Sequence, residues 1–143
     1  MKGISLSIFE SEVDSFLDRF LLPRIDSRIH LRFLQAKKRG EKTFLLSSAP
    51  AFLVSKIAAR LGFDLWQGTE YCIDKEGRLC EISTLIDGEA KLACAKFHAD
   101  GEAIVYSDSH DDLPLFEWAA RAVVVRPRRR LRKIAEERNW EIL

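Results

Sequence analysis

Two short polar segments, each set directly after an apolar run, hold the residues of this sequence best suited to chemistry. Ser47-Ser48 follows the run at 43–46, and Ser107-Asp108-Ser109-His110-Asp111-Asp112 follows the run at 103–106. A serine hydroxyl can donate to a phosphoryl oxygen. An aspartate among other oxygens suits magnesium, a hard cation that prefers oxygen ligands and keeps some of its waters. Lys91, in the first turn of a helix predicted from Gly88, adds a positive charge. With helix N-termini nearby, these groups could neutralise a phosphoryl group whose charge spreads over three oxygens. Each also has a plainer use: Ser47 or Ser48 as a helix cap, Asp111 and Asp112 as caps before Leu113-Pro114, Lys91 on a solvated surface and His110 in an exposed loop.

The elements that must position them are legible from periodicity. Ser7 and Glu10 fit a capping box ahead of an apolar stripe of Phe9, Val13, Phe16, Leu17 and Phe20, and Pro23 ends that helix. A second helix is predicted over 26–39, with Ile29, Phe33 and Ala36 on one face and Gly40 as its stop. A strand at 43–46 leads through Pro50 into a helix with Leu53, Val54, Ile57, Ala58 and Leu61 as its stripe and Gly62 as its stop. Segments 69–74 and 78–83 flank Lys75-Glu76-Gly77 as a hairpin. A helix from Gly88 to about residue 98 is predicted to bury Ala90, Ala93, Cys94 and Phe97; then come a strand at 103–106, a short helix from Leu113, a strand at 122–125 and a helix over 127–138. Strands alternating with helices imply an α/β layered fold with a mainly parallel sheet, in which ligands bind beyond the carboxyl ends of the strands. With parallel strands, Ser47 and Asp108 would open onto one sheet edge.

Bulk properties exclude several classes. A chain of 143 residues, 47% hydrophobic and 31% charged, is long and apolar enough to bury a core. With 23 basic and 22 acidic residues, no overall charge points to nucleic acid or to a membrane. No apolar run approaches the roughly 18 residues of a membrane span and no signal-peptide pattern is present, so a soluble, cytoplasmic domain is expected. Three cysteines without a Cys-x-x-Cys spacing argue against zinc and against a disulfide framework; Cys72 and Cys80 could face each other across the hairpin, but reduced core thiols are favoured. The basic run Arg126, Arg128, Arg129, Arg130, Arg132 and Lys133 starts a helix with Leu131, Ile134 and Ala135 as its buried stripe. No aromatic residue interleaves it, and it is read as a solvated face.

Order and spacing carry more than any single residue. Leu45-Leu46-Ser47-Ser48-Ala49-Pro50 resembles the second motif of haloacid dehalogenase-like hydrolases of the phosphoserine phosphatase type. Gly88-Glu89-Ala90-Lys91, arriving after a hairpin, resembles the Gly-Glu-x-Lys of the third. Tyr106-Ser107-Asp108-Ser109-His110-Asp111-Asp112-Leu113 resembles the fourth, with Ser107 where glycine is usual, a mild change. The resemblance spans about residues 40–143. It implies a three-layer, doubly wound, Rossmann-like core, and a phosphate-binding serine that is Ser47 or, one register on, Ser48. It also implies Lys91 as a phosphate-binding and catalytic lysine, Asp108 as a ligand of Mg²⁺, and Asp112 as the residue that orients the site with Lys91.

The family's first motif, Asp-x-Asp after a first strand, occurs nowhere in this sequence; Asp14 and Asp18 are too far apart and lie on an amphipathic helix. Residues 1–39 are therefore expected to be the remnant of a helical cap, and residues 40–143 a core lacking its first strand. Two functions follow: a magnesium-dependent phosphomonoester hydrolase acting on a small phosphate monoester but inactive as this chain alone, or a non-catalytic binding or interaction domain. The vacated position invites self-association or pairing with a separate N-terminal fragment, and residues 3–8 are its only internal substitute.

Overall fold

The computed structural model describes residues 5–143, apart from the side chains of residues 6 and 9. The chain forms two compact units, the first ending at Leu85 and the second Ile86–Leu143.

In the first unit, helix α1 (Leu6–Phe16) starts at Ser5, two residues before the expected cap. Ser7 therefore sits inside the first turn, its Oγ 2.8 Å from that of Ser5, and the capping box does not form. Residues 6–8 are helical, so of the substitute strand expected at 3–8 this part is excluded and residues 3 and 4 lie outside the described residues. Val13 and Leu17 of the predicted stripe are buried. Phe16 and Phe20 are exposed and stack on each other at 5.9 Å, while the side chain of Phe9 lies outside the described residues. Helix α2 (Ser27–Lys38) is capped by Asp26, which accepts from Arg28 N–H, and Phe33 packs on Phe63 at 4.5 Å.

Strand β1 (Phe44–Pro50) leads into α3 (Ala51–Leu61), where Val54 and Ala58 are fully buried and Gly62, at φ +83°, supplies the left-handed stop. Asp14 and Asp18 lie against α3, Asp18 2.7 Å from Arg60 and Asp14 3.5 Å from Lys56, so both acids serve helix packing. Strand β2 (Leu65–Ile73) pairs in parallel with β1 and antiparallel with β3 (Leu79–Thr84). The tight turn between them is organised by Asp74, whose carboxylate accepts from the N–H groups of Glu76 and Arg78, with Gly77 at φ +75°. The predicted hairpin is thus present. Cys72, expected in a core, is exposed, and all three cysteines are free thiols.

A carboxylate fixes the start of β1. Asp64 Oδ2 accepts the N–H and the hydroxyl of Thr43, each at 2.8 Å, while Oδ1 accepts Lys37 of α2 at 3.0 Å. The Thr43 backbone N–H, then its hydroxyl, then Lys37 lower the Asp64 pKa from the ordinary 3.8 to about 2. A depressed carboxyl pKa contributes stability that is present above 3.8 and lost as pH falls through about 2. Asp64→Asn is expected to lower the urea midpoint at neutral pH and to remove part of the fall in stability between those two pH values. A variant whose acid profile parallels the parent's would contradict this.

In the second unit, helix α4 (Gly88–His98) leads to β4 (Ile104–Ser107), then a 3-10 turn at His110–Asp112 and α5 (Leu113–Trp118). Strand β5 (Arg121–Val124), helix α6 (Arg129–Glu137) and a short unforeseen β6 (Glu141–Ile142) close the chain. Strands β4, β5 and β6 form a parallel ladder in that order. Its core is Phe116, Ala122, Val124, Leu131 and Ala135, with the Trp140 ring tilted against Phe116 at 5.4 Å.

The stripe predicted for α4 is corrected. Phe97 is 84% exposed and Ala93 is exposed, while Lys91 and Ala95 are the buried positions. The helix turns its lysine inward because a carboxylate waits there, and side-chain hydrophobicity alone could not reveal that.

The architecture is the expected α/β Rossmann-like one, with mainly parallel strands. One detail differs: the strands expected at 43–46, 103–106 and 122–125 belong to two three-stranded ladders. No described strand hydrogen-bonds to the second edge of β1 or of β4. No helix among the described residues is long and apolar enough to cross a membrane.

Candidate active site

Strand β1 does not stop at Leu46 but runs on to Pro50, and its pairing with β2 slips on the way. Leu46 lies opposite Gln67 and Pro50 opposite Thr69, so Ser47, Ser48 and Ala49 bulge against the single residue Gly68. A bulge of this kind bends a strand end and re-aims its side chains. Gly68 makes it feasible: a Cβ there would sit 2.8 Å from Ala51 Cα and 2.9 Å from Ala49 O. The Ser47 hydroxyl accepts the Ala49 N–H at 3.1 Å, inside the bulge and ahead of α3, and keeps its proton for another acceptor. Ser47 is half-buried and Ser48 exposed.

The second unit brings two of the predicted residues, Lys91 and Asp112, together with Ser107, which was not predicted. Lys91 Nζ donates to Asp112 Oδ1 at 2.8 Å, and both side chains are nearly enclosed, at 10% and 8% exposure. The Ser107 hydroxyl donates to Asp112 Oδ2 at 2.6 Å and itself accepts the N–H of Ser109 at 3.1 Å. Both oxygens of Asp112 are therefore engaged, and Lys91 keeps two N–H donors for other acceptors. Asp108, one residue beyond the end of β4, is exposed and makes no hydrogen bond or ion pair among the described residues.

Local sequence explains the placement. Asp87 caps α4 by accepting the Ala90 N–H at 2.9 Å, which fixes the first turn and with it Lys91. Gly88 abuts the Asp111 carbonyl so closely that a Cβ would lie 2.0 Å from its oxygen. Ser109 accepts the Asp111 N–H at 3.2 Å and starts the 3-10 turn that swings Asp112 back under Ser107.

Ser107 is the residue the sequence undervalued. Read as a mild replacement of glycine, it holds half of the buried carboxylate; the signal was its spacing five residues before Asp112, across a turn. Gly68 was likewise missed, and a lone glycine opposite a Ser-Ser-Ala stretch of a neighbouring strand was its only trace.

Magnesium asks for near-octahedral oxygen coordination. Asp112 is committed to Lys91 and Ser107, and the described residues hold no cluster of three or more histidine, cysteine or acidic groups suited to a metal. Asp108 offers a single carboxylate, so these residues alone do not make a magnesium site.

Each unit thus ends a strand of an α/β fold in polar residues: a bulged serine in the first, and in the second an exposed aspartate beside an enclosed lysine–carboxylate pair. The chain belongs to the haloacid dehalogenase-like hydrolase family, whose profile matches residues 1–117. It is 33% identical over 112 residues to phosphoserine phosphatase SerB1 of Mycobacterium tuberculosis (strain ATCC 25618 / H37Rv), covering 72% of this chain and 36% of that protein. It is 25% identical over 139 residues to a histidinol-phosphatase of Neisseria meningitidis serogroup C (strain 8013), covering 90% of this chain and 63% of that protein. The chain thus spans between about one third and two thirds of these curated relatives. A protein of unknown function from Bordetella pertussis Tohama I has the same fold, with a TM-score of 0.85 at 22% identity, covering 98% of this chain and 67% of that one.

Proposed function

We propose that this chain carries the phosphate-facing part of a phosphomonoester hydrolase, and that it needs a further aspartate-bearing segment for turnover. The observation that carries the reading is the enclosed Lys91–Asp112 pair completed by Ser107. A buried ion pair is weak evidence of stability, because desolvation offsets much of the attraction. A lysine held inward with donors to spare is, by contrast, what binding of a phosphoryl group requires. In this reading Ser47, rather than the exposed Ser48, donates its free proton to a phosphoryl oxygen. Lys91 neutralises the phosphoryl charge, Asp112 positions Lys91, and Asp108 contributes one oxygen to Mg²⁺ whose other ligands come from water and from the further segment. Helices α1 and α2 correspond to the remnant of a cap. The substrate is a small phosphate monoester, in keeping with relatives named as phosphoserine and histidinol phosphatases. The second edges of β1 and of β4, which pair with no described strand, are where a further strand, or a second copy of this chain, would add.

Titration with inorganic phosphate, followed by backbone amide resonances, tests the reading. Shifts confined to residues 47–51, 88–92 and 107–112 are expected, and Lys91→Met should abolish them. Shifts elsewhere, or none at all, would contradict it.

A further inference from the structure

The arginine run read above as a solvated face has an arrangement that a solvated face does not favour. Residues 126–133 hold six cationic side chains and no acidic one, while the rest of the second unit carries eleven acidic against four basic residues. Arg128, Arg129, Arg130 and Arg132 are exposed, and none of their side chains pairs with any described residue. Lys133 makes a long ion pair to Glu137, at 3.8 Å, and Arg126 is engaged elsewhere. Helix α6 is also charged in the inverse sense to its dipole: its first turn has no acid, its last turn has no base, and Glu136 and Glu137 stand at its end. Cations at the start and like charges three and four residues apart each cost a few tenths of a kcal/mol or more. No described acidic side chain pairs with Arg128, Arg129, Arg130 or Arg132 to offset that cost. Leu131 and Ala135, fully buried, would anchor the helix equally well with neutral neighbours.

The position of this cluster gives it a use. Ser107 lies opposite Val124 in the parallel ladder, and Val125 N–H donates to the Ser107 carbonyl at 2.8 Å. The segment after β4, which carries Asp108, and the segment after β5, which leads to Arg128, Arg129 and Arg130, therefore leave the same sheet edge on adjacent strands. Adjacent strands are about 5 Å apart, so the backbone that leads to these arginines leaves the sheet beside the backbone that carries Asp108.

We infer that Arg128, Arg129 and Arg130 form a subsite for a second anionic group, so that the substrate is a phosphate monoester with a carboxylate or a second phosphate at its other end. This rests on the proposed phosphate site. The strongly acidic remainder of the unit favours a compact anion over an extended polyanion, which it would repel. Arginine, with its planar fork of donors, matches either anion in two-point fashion.

The test compares two phosphate monoesters of similar size and opposite far-end charge, 2-phosphoglycolate and phosphoethanolamine, with inorganic phosphate as the reference. Dissociation constants are read from the amide resonances near Lys91. The chain should bind phosphoglycolate about tenfold more tightly than phosphoethanolamine, the worth of one partly screened charged hydrogen bond. The triple replacement Arg128→Gln, Arg129→Gln, Arg130→Gln should bring the two together and leave the affinity for inorganic phosphate nearly unchanged. Arg129→Gln alone should show part of the effect. Equal affinities for the two esters in the parent chain, or a preference that survives the triple replacement, would overturn the subsite while leaving the phosphate site standing. If inorganic phosphate itself moves no resonance near Lys91, the phosphate site fails and the subsite falls with it.

Discussion

Asp112→Ala is expected to destabilise the chain by about 3–5 kcal/mol, the usual cost of leaving one member of a buried pair unpaired. Its carboxylate is the partner of the Lys91 ammonium at 2.8 Å and of the Ser107 hydroxyl at 2.6 Å, in surroundings where water has little access to compensate. Such a loss is a large share of the 5–15 kcal/mol that holds a typical domain together. Lys91→Met should cost a similar amount, for the same reason with the sign of the charge reversed. The combination Lys91→Met with Asp112→Ala should cost far less than the two single changes together, because it leaves no buried charge behind. Gly88→Ala acts on the same network from outside. Alanine is the better helix former by about 1 kcal/mol, yet its Cβ would meet the Asp111 carbonyl at 2.0 Å. The loop must move, and Asp112 with it, so a net loss of about 1–3 kcal/mol is expected. Urea unfolding of the four variants checks the account; additive single and double changes would refute the pairing.

The isolated chain is expected to show no hydrolysis of a chromogenic phosphate ester, with or without magnesium. Positioned acid–base help is typically worth about 10²–10⁴-fold, so its loss alone would leave a measurable rate. Loss of the attacking carboxylate removes the covalent route itself. Neither Asp14 nor Asp18 can substitute, since both are engaged with Lys56 and Arg60 beside α3. Asp108 is free but stands at the end of β4 without a second acid two residues on.

Much of this was legible in the residues, and the reason differs from element to element. The α/β layering followed from apolar runs of strand length alternating with helical periodicity. Gly62 and Gly77 marked their turns because both sit at φ values that favour glycine. Lys91 and Asp112 were readable as partners only through motif spacing, since 21 residues of chain separate them. The failures share one cause, which is that tertiary contacts decided what local pattern could not. The buried face of α4 is set by Asp112 waiting for Lys91, so Phe97 turns outward against its own hydrophobicity. The role of Ser107 depends on a turn that brings a carboxylate back over it, and the bulge at Ser47 depends on a glycine of the neighbouring strand. Ser5 displaced Ser7 as the helix start by two residues, within the ordinary uncertainty of boundaries.

A chain that holds the phosphate-facing half of a hydrolase site, as proposed, should become active when the other half is supplied. An apolar strand ending in Asp-x-Asp-x-Thr, taken with its connecting segment from a family member, is joined ahead of Met1, and hydrolysis of a chromogenic phosphate ester is followed beside the unjoined chain. The joined protein should gain magnesium-dependent turnover and run as a monomer in light scattering, while the unjoined chain stays silent and runs larger. Lys91→Ala and Asp108→Ala should each remove the gained activity. A joined protein that folds but stays silent, activity that survives Asp108→Ala, or turnover by the unjoined chain would contradict the account.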